Sequence, residues 1–497
     1  MLLLDGGRLT VEDVVAVAVH GETAGLAPAA RERMLASRAV VERLAAGDRP
    51  VYAVNTGVGQ LADVQIPREQ LEQLQRNVVR SHACGVGDPL DRAEVRAMML
   101  IRANVLAKGF SGIRPVVAEM LCEFLNRRLT PVVPSRGSVG ASGDLAPLSH
   151  IALVLIGEGE AEYGDARMQG KEALAGAGLQ PLRLASKEGI SLVNGTQAML
   201  ALGCIELTAA ETLADTADVI CALTTDALRG TPRAFDERIQ RARPHPGQRA
   251  SAANLVRLME GSEIRNSHLG CGRVQDAYSL RCAPQIHGAV RDTLAEARRV
   301  FSIELNSATD NPLVFGDEIL SGGNFHGEPL GLQLDYAAIA LTALAGVSER
   351  RIDRLVNPAQ NEGLPAFLTG NPGIESGLMM AQVTAAALVA ENRVLSTPAS
   401  ACSITTSGDR EDFVSMGMTA ALKFKQVVRY TRLVLAIEAL AAARAVSFLR
   451  PLRTSPALEA VCAALPFIAG DESLTPHIER AAILIAGGAL ASAAGLR

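Results

Sequence analysis

Arg136-Gly137-Ser138-Val139-Gly140-Ala141-Ser142-Gly143-Asp144-Leu145-Ala146-Pro147-Leu148-Ser149-His150 is the stretch on which the reading of this chain turns. Three glycines fall within seven residues, an Asp and a Pro follow, and no apolar period runs through the segment. Gly143 has no Cβ and tolerates dihedrals closed to other residues, so Ala141-Ser142-Gly143 can fold tightly. In such a bend the Gly143 amide nitrogen can approach the Ala141 carbonyl carbon. Cyclisation with loss of water, then dehydration of Ser142, would leave an exocyclic methylidene on an imidazolone ring. That is an electrophile which no standard side chain supplies. A phosphate cradle needs Gly-Lys-Ser/Thr opening a helix, and no Lys follows Gly143. A hydrolase nucleophile elbow needs Gly two residues after the Ser, where this chain has Asp144. A Gly/Ser-rich loop between two helices is the ordinary reading of Ala-Ser-Gly taken alone.

Composition bounds the fold class. The 497 residues could fill about three average domains. At 48% hydrophobic and 20% charged, the chain can bury a large core. Aromatics are 3% and Trp is absent, which favours helix, since strands prefer β-branched and aromatic residues. A net charge of −5 without a long run of one sign gives no nucleic-acid footprint. The eight cysteines form no Cys-x-x-Cys pair and fit free thiols of a reducing cytosol. The eight histidines lack His-x-x-x-His spacing, so a zinc site has little support. Met1-Leu2-Leu3-Leu4-Asp5 lacks the basic region and apolar core of a signal peptide. The uncharged segment 481–496 is shorter than the roughly 20 residues of a membrane span. These features predict a cytoplasmic chain with no metal, nucleotide, nucleic-acid or membrane partner.

Periodicity predicts a mainly α protein. Thr10 stands as an N-cap before Val11-Glu12-Asp13. Helical patterns cover 68–86, 91–108, 341–356, 379–395 and 420–449. The long runs are apolar on several sides, as in helices buried in a bundle or between subunits. Pro50-Val51-Tyr52-Ala53-Val54 alternates briefly and predicts a short strand entering the turn Asn55-Thr56-Gly57. Gly57-Val58-Gly59-Gln60-Leu61-Ala62 mimics a dinucleotide fingerprint, but Pro67 interrupts the helix that should follow and no acid lies near twenty residues on. A break near Asn194 divides an N-terminal region, 1–193, carrying the Ala-Ser-Gly loop, from a long-helix region, 194–497.

The 136–150 run resembles the prosthetic-group segment of the histidine and aromatic amino acid ammonia-lyases. Four further segments match that family in chain order. They are Val51-Tyr52-Ala53-Val54-Asn55-Thr56-Gly57-Val58-Gly59, Leu192-Val193-Asn194-Gly195-Thr196-Gln197, Val274-Gln275-Asp276-Ala277-Tyr278-Ser279-Leu280-Arg281-Cys282, and Ser321-Gly322-Gly323-Asn324-Phe325-His326-Gly327-Glu328-Pro329. Singly, each has a plain reading: a half-buried Tyr beside a turn, an Asn-Gly turn, a surface Arg paired with Asp276, a loop Phe filling a local core. The resemblance implies a 4-methylidene-imidazol-5-one group formed autocatalytically from Ala141, Ser142 and Gly143. It also implies Tyr52 as catalytic base and Asn194 beside the prosthetic group. Tyr278 and Gln275 fall at the reacting centre, Arg281 on the substrate carboxylate, and Phe325 against the electrophile. A free phenol has a pKa of about 10, so a basic Tyr52 requires a positive setting such as converging helix N-termini. On a helix, Gln275, Tyr278 and Arg281 would share a face, and an Arg fork suits a carboxylate. The fold implied is a long-helix bundle of the aspartase/fumarase-like ammonia-lyase type with a smaller mixed N-terminal region. Homotetramers with shared active sites are the family's rule.

Substrate is read from two places. Ser81-His82 falls at the family's specificity pair and looks like the histidine enzymes. Glu411, within Asp409-Arg410-Glu411-Asp412-Phe413, matches the Glu of their Asn-Gln-Glu-Asp-His, where aromatic enzymes usually carry Gln. A carboxylate can hold an imidazole N–H and has no partner on a phenyl ring. The expected reaction is elimination of ammonia from L-histidine to give trans-urocanate, a step of histidine catabolism. The departures at Asp409, Arg410 and Phe413 keep open a tyrosine or phenylalanine ammonia-lyase or an aromatic 2,3-aminomutase, and Arg410 could pair with Glu411 and take it out of the pocket. A non-catalytic helical assembly protein would be expected to have lost the tripeptide, Tyr52 or Arg281, and all are intact.

Overall fold

The computed structural model describes residues 1–496. Helix accounts for 58% of the chain, and among the described residues each sheet has only two or three strands, as a mainly α protein requires. Helix starts follow local chemistry. Thr10 and Asp13 form a capping box on Val11–Ala18, and Asp91 with Glu94 does the same for Arg92–Ala107. Pro occupies the first turn of Pro115–Asn126. The 379–395 pattern becomes the helix Met379–Leu395, and the longest helices are Gln197–Ala227, Glu328–Val356 and Gly417–Ser447. Glu328–Val356 is long and apolar enough to cross a membrane by length and composition, but more than half of its most apolar stretch is buried within the protein.

Two local expectations are overturned. Residues 51–54 form a tight turn, not a strand. Val54 N–H donates to Val51 O at 3.1 Å, Ala53 takes φ +58°, and Asn55 Oδ1 accepts from Val51 N–H at 2.7 Å. Side chains thus satisfy backbone groups that a strand partner would have held. Likewise Gln275 is not on a helix with Tyr278 and Arg281, because the helix spans only Tyr278–Arg281. Asp276 ties the preceding chain down by accepting from Thr231 N–H at 2.7 Å and pairing with Arg273 at 3.2 Å.

The chain groups into two compact units. The first comprises Met1–Ile205, Arg298–Asp335 and Pro398–Leu422, and the second Glu206–Ala297, Tyr336–Thr397 and Lys423–Arg497. This is not a single cut at 193/194. Asn194–Thr196 is no linker, since Gly195 O accepts from Asp144 N–H at 2.7 Å inside the first unit.

In the first unit Arg92–Ala107 is buried on nearly every side and packs against Val11–Ala18 and Pro115–Asn126. The second unit encloses charge. Arg351 and Glu438, both fully buried, are joined through Arg351 Nε–H to Glu438 Oε1 at 2.5 Å and Nη2–H to Oε2 at 2.9 Å. Thr224 and Ser348 hydroxyls donate to the same carboxylate at 2.8 and 2.6 Å. Beside them Asp218 holds His287 Nδ1 at 2.7 Å and Arg291 Nη2 at 2.6 Å. Burial opposes the charge of Asp218, but Arg291 and His287 outweigh it and hold the carboxyl well below its usual range.

Candidate active site

The loop 137–144 is shaped by glycines that have no alternative. Gly140 and Gly143 take φ of +68° and +71°, and a Cβ on Gly143 would stand 2.1 Å from Gly195 O. Segments far apart in sequence grip the loop. Met416 N–H donates to Val139 O at 2.8 Å, while Gly327 N–H and Ser415 Oγ–H donate to Gly140 O at 3.1 and 2.9 Å. Asn194 Nδ2–H donates to Ser142 O at 3.0 Å. Four helices begin at these contacts: Leu145–Leu155, Gln197–Ala227, Glu328–Val356 and Gly417–Ser447. Their free N–H groups and positive dipole ends gather at the loop, the setting that the expected chemistry of Tyr52 requires. Asp144 is fully buried among them, and burial pushes its carboxyl up to about 6, only partly offset by Met199 N–H, Ser138 Oγ–H and Ala198 N–H.

A cavity of about 1210 Å³ opens beside the tripeptide, within the first unit. Tyr52, His82, Ala141, Ser142, Asn194, Phe325 and Glu411 all line it, with Gly143 next in the chain. Tyr52 Oη accepts from Gly59 N–H at 3.3 Å. His82 Nδ1 lies 2.7 Å from Val78 O. A carbonyl can only accept, so Nδ1 carries a proton, and in the neutral ring Nε2 is the acceptor. Glu411 Oε1 accepts from Ser142 Oγ–H at 2.7 Å, and Oε2 from the hydroxyls of Thr406 at 2.6 Å and Ser407 at 2.9 Å. Burial works against the charge of Glu411, but these hydroxyls outweigh it and hold the carboxyl below its usual value. Glu411 therefore faces the tripeptide as an anion and has not been drawn out of the cavity. Arg410 and Phe413 line the cavity too.

Gln275, Tyr278 and Arg281 are not brought to this cavity within the chain. They belong to the second unit, where Gln275 is exposed, Tyr278 is 70% exposed and the Arg281 guanidinium lies 4.6 Å from the Tyr278 ring centre. Other lining residues escaped the sequence reading. His326 stands next to Phe325, and its ring stacks on Phe413 at 6.2 Å between centres, while Asn311 and Ser407 come from segments with no motif. The first of these was legible beside Phe325; the others carry no local signal.

Comparison with known proteins places the chain in a family. The family described as aromatic amino acid lyase matches residues 9–466. A histidine ammonia-lyase of Koribacter versatilis is 58% identical, covering 99% of both chains. Among solved structures, histidine ammonia-lyase from Trypanosoma cruzi is 40% identical with a TM-score of 0.92, covering 100% of this chain and 95% of that one. Tyrosine aminomutase from Streptomyces globisporus is also 40% identical, with a TM-score of 0.94 over 100% of this chain and 98% of its own.

Proposed function

Because the chain belongs to the aromatic amino acid lyase family, a family of carbon–nitrogen lyases, we propose that it eliminates ammonia from L-histidine to give trans-urocanate. The observation that carries the substrate is the carboxylate of Glu411, held ionised by the Thr406 and Ser407 hydroxyls in a cavity that it shares with His82. An imidazole N–H finds acceptors in Glu411 and His82 Nε2, and a phenyl ring finds none.

Ala141, Ser142 and Gly143 fit the methylidene-imidazolone group implied by the family. A Cβ on Gly143 has no room, Ser142 O is already held by Asn194, and Asn194 Oδ1 is buried without a hydrogen-bond partner. Forming it requires Gly143 N to bond to the Ala141 carbonyl carbon with loss of one water, and Ser142 to lose a second from Cα and Oγ. The group supplies an electrophile that activates the substrate toward loss of ammonia. Around it, Asn194 Nδ2–H draws electron density from the Ser142 carbonyl, helped by the helix starts. Tyr52 takes the proton from the substrate β-carbon, Glu411 and His82 orient the ring, and Phe325 closes the pocket against water.

Gln275, Tyr278 and Arg281 enter from another copy of the chain in a homotetramer, Arg281 binding the carboxylate as a fork. This is supported by their absence from the cavity within one chain. The cavity volume also exceeds the range of about 300–1,000 Å³ typical of small-molecule sites, leaving room for a partner to complete it. The enzyme works in the cytoplasm and needs no metal or nucleotide.

Intact mass of the purified protein tests the group: two lost waters give a deficit of about 36 Da, and Ser142→Ala should lose the second dehydration and nearly all activity. A full-mass, fully active wild type would sink the proposal. Because Arg410 and Phe413 line the cavity, the substrate panel includes tyrosine and phenylalanine and reads β-amino acids as well as elimination products. Faster turnover of either than of histidine would overturn the substrate.

A further inference from the structure

We infer that Arg102 is a positioning residue for this site, fixing from behind the Asn194–Gly195 turn that holds both flanks of Gly143. The inference rests on the ammonia-lyase reading above. Arg102 lies on Arg92–Ala107, is 1% exposed and does not line the cavity. Its Nη1 donates to Asn194 O at 2.8 Å and to Gln197 Oε1 at 3.0 Å, and its Nη2 donates to Ser191 O. Ser191 and Asn194 stand at the closing end of Glu188–Val193, where carbonyls lack intrahelical partners, and Gln197 opens the next helix. The guanidinium therefore occupies the joint between one helix's negative end and the next helix's start.

That joint has no slack. A Cβ on Gly195 would lie 2.7 Å from Arg102 Nη1, 2.6 Å from Thr309 O and 2.5 Å from Gln197 Oε1. Through the turn, Asn194 Nδ2–H reaches Ser142 O and Gly195 O receives Asp144 N–H, the residues on either side of Gly143. A rigid plane with several donors suits three fixed acceptors as a flexible ammonium does not.

Packing alone does not account for a cation here. Arg102 shares the influence of Asp310 with another buried basic side chain, Lys187, whose Nζ is 3.4 Å from Asp310 Oδ2. Burial pulls Arg102 down to about 10, opposed by Asp310, so it remains charged near neutrality. An apolar side chain of similar volume would fill such a space with a smaller desolvation cost. Arg96, on the same helix, gives the contrast. It is also buried and donates to Val17 O at 2.8 Å, Ala18 O at 3.2 Å and Leu125 O at 3.0 Å, none of them at the site.

Arg102→Lys and Arg96→Lys are compared as assembled enzymes by Tm, intact mass, the near-ultraviolet band of the electrophile, and kcat and KM for L-histidine. Both should lower Tm. Only Arg102→Lys should shift the band and cut kcat by about 10²-fold, as for a misplaced catalytic group, with KM little changed and the two-water deficit kept. A wild-type band and kcat in Arg102→Lys would overturn the inference, as would an equal kcat loss in Arg96→Lys. Should Arg102→Lys fail to fold, Gln197→Leu removes one acceptor of the same guanidinium. It should shift the band and kcat in the same direction by less, and unchanged values there also overturn the inference. A wild type without the mass deficit overturns the lyase reading itself, so the two failures are distinguishable.

Discussion

Around Glu438 the polar groups close on one another, whereas around Ser142 they open onto a cavity. Arg351, Thr224 and Ser348 occupy both oxygens of the Glu438 carboxylate, and Asp218 gathers His287 and Arg291 in the same unit. By contrast Asn194 Oδ1 is buried with no partner, and the hydroxyl of Ser142 rests on a carboxylate proposed to bind substrate. Both arrangements incur desolvation, but only the first returns it as internal pairing. The difference teaches where to look for chemistry in a charged helical protein. A network whose carboxylates are filled from within the protein specifies structure, and one left incomplete facing a cavity is kept for a ligand.

Substitutions that act on one region and spare the other test this contrast. Gly143→Ala should have the largest effect, because Cβ would meet Gly195 O at 2.1 Å on a backbone of positive φ. Intact mass should then show no water deficit, and activity should fall on the order of 10³-fold or more. Glu438→Gln strands the Arg351 cation and should cost about 3–5 kcal/mol in denaturant unfolding, leaving kcat of the folded fraction unaltered. A loss of kcat in that variant would break the distinction between the two regions. Glu411→Gln removes a charge-assisted hydrogen bond to the substrate, costing about 1.5–3 kcal/mol, or roughly 10- to 150-fold in kcat/KM for histidine. His82→Leu should likewise weaken histidine and admit phenylalanine or tyrosine, read in the same substrate panel.

The smallest effect concerns pH. His287 donates from Nδ1 to Asp218 and accepts at Nε2 from Arg351 at 3.3 Å, so it is neutral as folded. Burial and Arg351 lower its pKa, outweighing Asp218, so the unfolded chain binds the proton more readily. The stability from neutral His287 is present above the ordinary value of about 6.5 and is lost as pH falls from there toward the lower folded value. Urea unfolding at pH 7.5 and 5.5 should show that loss, and His287→Asn should flatten it.

The long helices were legible because their apolar periodicity extends over many turns, as at Met379–Leu395. The turn at Tyr52 was not, because Asn55 and Thr56 side chains replace strand partners there, and alternation over five residues cannot reveal that. The tripeptide and most of its lining stood out as contiguous motifs. Arg102 did not, since its contacts with Asn194 and Gln197 are made across a long stretch of chain, and Thr406 and Ser407 did not, since they hold Glu411 within a short turn that carries no period or motif. The predicted face of Gln275, Tyr278 and Arg281 assumed a helix that the Asp276 contacts prevent from extending backward.

The grips on the loop carry one further consequence, in time. Val139 O and Gly140 O are held by Gly327, Ser415 and Met416, which lie far downstream. At about 5–20 residues per second, synthesis reaches Met416 tens of seconds after Ser142 has been made. Until then the emerging chain carries an unclasped Ala-Ser-Gly, no more reactive than any other tripeptide. The grips from Gly327, Ser415 and Met416 thus become available only once most of the protein exists.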